Sequence, residues 1–190
     1  MSLSDLKQEL RKIADPERAK NLQRFFKTGP GQYGEGDKFI GIKVPELRRI
    51  ARNHKTLPLT DLQRLLQSKI HEERMTALFI LRFQYEASPY ENKKTYVDFY
   101  LENRQGINNW DLIDTSAPYI LGHFLQDKNA KEREILYKFA ESQDLWEKRI
   151  AILSTFSFIT QKDFIDSLKI AEILLYDKHD LIHKAVGWML

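Results

Sequence analysis

Cysteine is absent from the 190 residues, so neither disulfides nor thiolate metal sites hold this fold, which accords with a reducing compartment. Long apolar runs are absent as well: no stretch approaches the roughly 18 residues that a membrane span needs. The opening residues, MSLSDLKQELRK, carry charge throughout and lack the apolar core of a secretory signal. A cytoplasmic location is therefore expected, with no membrane partner. Strand-like alternation is almost missing, which sets aside sheet-based folds. Charge of one sign is also scarce, since 30 Lys and Arg against 27 Asp and Glu leave a net +3. So small an excess permits a polyanionic partner without naming one. The question is whether basic residues gather on one face.

What the chain does have is helical periodicity, with 42% hydrophobic and 30% charged residues, enough for one soluble domain over 1–190. Leu3, Leu6, Leu10 and Ile13 mark a first amphipathic helix. Asp15-Pro16 ends it and starts a second, with Asp15 as N-cap and Pro16 at the first helical position. The second carries Ala19, Leu22, Phe25 and Phe26. Further helices are predicted over 45–54, 60–68, 71–87, 90–103, 109–124, 131–142, 144–159, 162–176 and 179–190. The connections are short, which favours antiparallel neighbours.

A repeat shows in the later helix starts. Arg74, Trp110, Trp146 and Ile182 follow one another at steps of 36 residues, within HEERMTALFIL, NNWDLIDTSAPYIL, LWEKRIAILSTF and LIHKAVGWML. Helix-pair units of about this length build α-solenoids, HEAT units being slightly longer. The expected fold is thus all-α: HEAT-like antiparallel helix pairs, stacked so that equivalent positions line one concave, basic groove. A monomer is expected.

Thr28 to Gly41, TGPGQYGEGDKFIG, breaks the pattern and holds five of the eight glycines. It lacks the Gly-Lys-Ser/Thr ending of a nucleotide P-loop and follows no strand, so it reads as an interhelical loop. Metal and nucleophile motifs fare no better. His71-Glu72 begins like the zinc motif H-E-x-x-H, but Met75 takes the second histidine's place. His179 and His183 lack an evident third ligand, and no G-x-S-x-G serine motif is present.

Trp110 and Asp114 are four residues apart in NNWDLID and share a helix face. Arg149 lies one period on in WEKRIAI, and Lys184 and Trp188 follow in HKAVGWML. Singly, each has a plain explanation: a tryptophan packs, and an early aspartate complements the helix dipole. Together, in one repeat phase, they outline a groove site to which Arg74 adds a basic residue.

Four segments, KTGPGQYGEGD, NNWDLID, WEKRIAI and KAVGWML, carry a family likeness. Over essentially its whole length the chain resembles the AlkD-type DNA alkylation repair glycosylases. The resemblance implies that Asp114 is the catalytic carboxylate, that Trp110 and Trp188 are an aromatic pair at the damaged nucleotide, and that Arg149 binds the DNA backbone. It places Phe25 where some members use tyrosine. Members usually continue with further helix past the position of Leu190, so the final repeat reads as cut short. The implied activity is hydrolysis of the N-glycosidic bond of N3- and N7-alkylated, positively charged purines in duplex DNA, without metal or cofactor. The family engages the lesion from the backbone side rather than enclosing the base. The competing expectations are a non-catalytic HEAT-like module for DNA of unusual shape and a protein-binding scaffold, whose groove would show mixed charge and apolar pockets.

Overall fold

The computed structural model describes residues 2–190, and among them the chain is helical, with one isolated parallel bridge between Lys38 and Ile70 and no longer strand. In chain order the helices are α1 (Leu3–Lys12), α2 (Pro16–Phe25), α3 (Val44–Asn53), α4 (Leu59–Leu66), α5 (His71–Ala87), α6 (Lys93–Glu102), α7 (Trp110–Asp114), α8 (His123–Leu125), α9 (Ala130–Ala140), α10 (Leu145–Ser154), α11 (Phe156–Thr160), α12 (Ile165–Leu174) and α13 (Asp180–Met189). Asp15 caps α2 as predicted, its carboxylate accepting the Arg18 N–H at 3.0 Å. No described helix is long and apolar enough to cross a membrane.

The helices stack as an α-solenoid. α4 packs on α5, α6 on the stretch from α7 to α8, α9 on α10, and α12 on α13. A second set of contacts runs α5 to α7, α7 to α10 and α10 to α13, forming one continuous row. Leu78, Ile80, Leu112, Ile113, Ile150, Ile152 and Ile182 all bury in one core along that row. Burial of this kind stabilises by roughly 25 cal/mol per Å² of apolar surface.

The helix expected over 109–124 is broken. α7 stops at Asp114, and a π-helical segment, Pro118–Gly122, leads into α8. Pro118 has no N–H to give the carbonyl of Asp114. Thr115 and Ser116 turn their hydroxyls back onto the carbonyls of Asp111 and Leu112 instead. The helix expected over 144–159 is likewise divided at Thr155 into α10 and α11.

Candidate functional site

α5 begins the site from behind. The helix lies between α3 and α4 on one side and α6 and α7 on the other, so its residues 71–81 are buried on every face. Arg74 is therefore a correction to the groove expected from the repeat phase. Only 3% exposed, it donates from Nη2 to Asp37 Oδ1 at 2.6 Å and from Nη1 to the Ser68 carbonyl at 2.9 Å. It does not line the cavity that holds Asp114.

Asp37 closes the glycine-rich loop and gathers a polar knot. Its Oδ2 takes His71 Nδ1 at 3.1 Å and Asn109 Nδ2 at 3.1 Å. The other ring nitrogen, His71 Nε2, meets Asp111 Oδ2 at 2.8 Å. Carboxylates only accept, so both ring nitrogens donate and His71 is an imidazolium. Burial, the largest influence, pushes its pKa down, but Asp111 and Asp37 outweigh it and the pKa ends raised. Burial likewise pushes Asp37 up, and His71, Arg74 and Asn109 together bring it below the ordinary range. The neighbouring Glu72 receives the N–H groups of Ile40, Gly41 and Ile42, at 2.7 Å from Gly41. The His71-Glu72 pair that resembles half a zinc motif thus fastens the loop to α5.

The knot holds α7 by its N-terminus. Asn109 Oδ1 accepts the Trp110 N–H at 2.9 Å while its Nδ2 reaches Asp37. Trp110 then stacks on Phe26, centroids 5.2 Å apart and planes 13° apart, and meets Phe25 edge-on at 6.1 Å. Four residues on, Asp114 faces Arg149 of α10. Arg149 Nε donates to Oδ1 at 2.9 Å and Nη2 to Oδ2 at 2.8 Å, a bidentate pair, while Nη1 donates to the Leu181 carbonyl of α13 at 2.6 Å. Arg149 is 5% exposed with three of its five donors engaged, so it holds Asp114 and the start of α13 and presents no free guanidinium.

Asp114 itself keeps 17% of its side chain open. Burial raises its pKa, opposed by the Arg149 bonds and charge, with the Asp111 carboxylate adding to the rise. Each oxygen retains one lone pair after the pair forms, and Asp114 lines a cavity of about 520 Å³. Trp110, Asp114, Lys184 and Trp188 all line this cavity. Trp188 is 57% exposed and stands in the groove, leaving Ala185, Val186 and Met189 to fill the core side of α13. Lys184 pairs with Asp180 at 3.1 Å, an exposed contact that contributes little to stability.

Repeat phase alone missed part of the lining. Phe25, counted with the apolar face of α2, is 64% exposed and edges the cavity with Lys27. Tyr33, in the middle of the glycine-rich loop, completes it. The signal was present: a large aromatic among the glycines of a loop, with no periodic partner, invites a functional reading, because loops carry binding residues.

The chain matches the model of the DNA alkylation repair enzyme family over residues 6–190. It belongs to that family. No curated protein matches the chain. Among solved structures, a predicted DNA alkylation repair enzyme from Enterococcus faecalis is similar at 17% identity and a TM-score of 0.67, over 93% of this chain and 81% of that one. That likeness supports the solenoid fold.

Proposed function

We propose that this member of the DNA alkylation repair family is a monofunctional glycosylase. It hydrolyses the C1′–N bond of N3-alkyladenine and N7-alkylguanine in duplex DNA, as a monomer. The observation that carries the reading is the Asp114 carboxylate, fixed by Arg149 and open to a cavity walled by Trp110 and Trp188.

Alkylation leaves the purine cationic, so the electrons of the breaking bond neutralise the departing base and no protonation is needed. That removes the general acid which ordinary glycosidases carry as a second carboxylate. Asp114 faces the positive charge that develops on the sugar, and preorganised charge of this kind is commonly the largest catalytic term. A water adds at C1′, and Asp114, its basicity raised by burial, accepts the proton released. Tryptophan faces attract the cationic sugar and base by roughly 0.5–2 kcal/mol each. Lys27 and Lys184 are the cations available to phosphate, which positions DNA without reading sequence.

The test is release of free base from duplexes carrying one modified residue, with a metal chelator present throughout. We expect 7-methylguanine to be freed and the neutral bases uracil and hypoxanthine to be retained. Efficient uracil release contradicts the single-carboxylate mechanism. Lesion-selective binding without any base release favours a non-catalytic DNA-binding module, a rival to which the neutralised Asp114–Arg149 pair lends some support.

A further inference from the structure

The proposed chemistry leaves the glycine-rich loop unused, although the loop reaches into the groove. It is held as a frame. Gln32 Oε1 accepts the Gly29 N–H at 3.0 Å, Glu35 Oε2 accepts the Gly31 N–H at 2.8 Å, and the Gln32 carbonyl accepts the Glu35 N–H at 3.0 Å. Gly34 donates to the Lys27 carbonyl at 3.2 Å, and a Cβ there would stand 2.4 Å from the Phe26 carbonyl oxygen. Three residues later the polar knot around Asp37 ties the loop to α5 and α7. Tyr33 is thus displayed beside a position that packs closely on the end of α2.

From that frame its ring crosses to the far side of the groove. The centroid lies 6.1 Å from Trp146 on α10 and 6.4 Å from His179, the N-cap of α13, and Lys27 Nζ is 5.7 Å from the ring. Tyr33 is half-buried, belongs to neither apolar cluster, and lines the cavity that holds Asp114. An aromatic placed this way offers stacking to any base and a cation–π contact to a positively charged one. The phenol keeps its proton at neutral pH, because burial raises its pKa despite the opposing Trp110 N–H and nearby Asp180 and Asp111 raise it further.

Resting on the glycosylase reading, we propose that Tyr33 is a specificity-determining residue, an aromatic wall of the cavity beside Phe25, Trp110 and Trp188, which touches the cationic nucleotide directly. The glycine-rich loop then belongs to the substrate site, and its frame exists to place one ring.

Anisotropy titrations on two duplexes test this. One carries 2′-fluoro-7-methylguanosine, whose fluorine slows cleavage, and the other carries guanosine at that position. Tyr33→Ala should lower the preference for the cationic duplex about ten-fold while changing affinity for the plain duplex less than about two-fold. Tyr33→Leu should lose as much, and Tyr33→Phe should keep most of the preference. Gly34→Val, which displaces the loop but leaves the phenol, should reproduce Tyr33→Ala; thermal melting confirms that each variant is folded. An unchanged preference in folded Tyr33→Ala overturns the inference, as does an equal loss of affinity for both duplexes. A wild-type protein that binds the two duplexes alike overturns this inference, whereas one that releases no 7-methylguanine overturns the glycosylase reading on which it rests.

Discussion

Two aspartates of this protein each hold a guanidinium at hydrogen-bond distance, and they titrate in opposite directions. Asp37 has Arg74, His71 and Asn109 around it and is held below the ordinary carboxylate range. Asp114 has Arg149 alone, with like-charged Asp111 one turn away, and is raised. One pair is closed in behind the groove with its partners all supplied by the protein. The other lines a cavity and keeps part of its side chain open. The same residue types therefore serve support in one place and candidate chemistry in the other, and solvent access with partner count tells them apart.

That contrast breaks most visibly at Asp37. Asp37→Ala leaves the buried Arg74 without its carboxylate and His71 with Asp111 alone, and should cost about 3–5 kcal/mol of folding stability, read from urea unfolding. Base release per folded molecule should fall far less than stability does. Arg149→Gln should behave in the opposite sense: a rate loss of about 100-fold in single-turnover base release, on the scale of one lost electrostatic contact. Its affinity for undamaged duplex should hardly change, since Arg149 aims Asp114 and is itself buried. A uniform loss of duplex affinity with an unaltered rate would return Arg149 to the role of phosphate clamp.

Trp188→Ala sharpens the comparison from the groove side. A ring exposed to the cavity should leave the melting temperature nearly unchanged and reduce lesion preference about ten-fold. A core plug would instead cost about 3–5 kcal/mol on truncation. The smallest effect concerns His71. Its folded pKa lies above the unfolded value of about 6.5, so its stabilising contribution is complete below that pH and is lost as pH rises through the folded pKa. Across that window wild-type stability should decline by up to about 1.4 kcal/mol per pH unit from this one proton. His71→Gln should lack that component, and an identical slope in the variant contradicts the imidazolium assignment.

How much of this was legible in the sequence varies by element. α5 runs over 71–87 as its periodicity predicts, because a long helix buried on all sides has no competing local chemistry. The break after Asp114 was not foreseen, although Pro118 and the Thr-Ser pair before it carry the reason. Repeat phase brought Trp110, Asp114, Arg149 and Trp188 into one neighbourhood, yet it placed Arg74 there wrongly. A 36-residue step fixes which helix a residue occupies, not whether its neighbours leave that face open. The bidentate geometry of the Asp114–Arg149 pair is finer than repeat phase can give, and the reach of Tyr33 to α10 and α13 is a tertiary fact with no period to announce it.

Asp114 bears the account's central claim. The most direct measurement is the single-turnover rate of 7-methylguanine release by Asp114→Asn, which keeps the side chain's shape and removes its charge. The account predicts a loss of several hundred-fold, corresponding to about 3–4 kcal/mol in the transition state, with duplex affinity close to wild type and a lowered melting temperature, because the buried Arg149 loses its counter-charge. Release at a near wild-type rate by the folded variant would show that Asp114 is not the catalytic group.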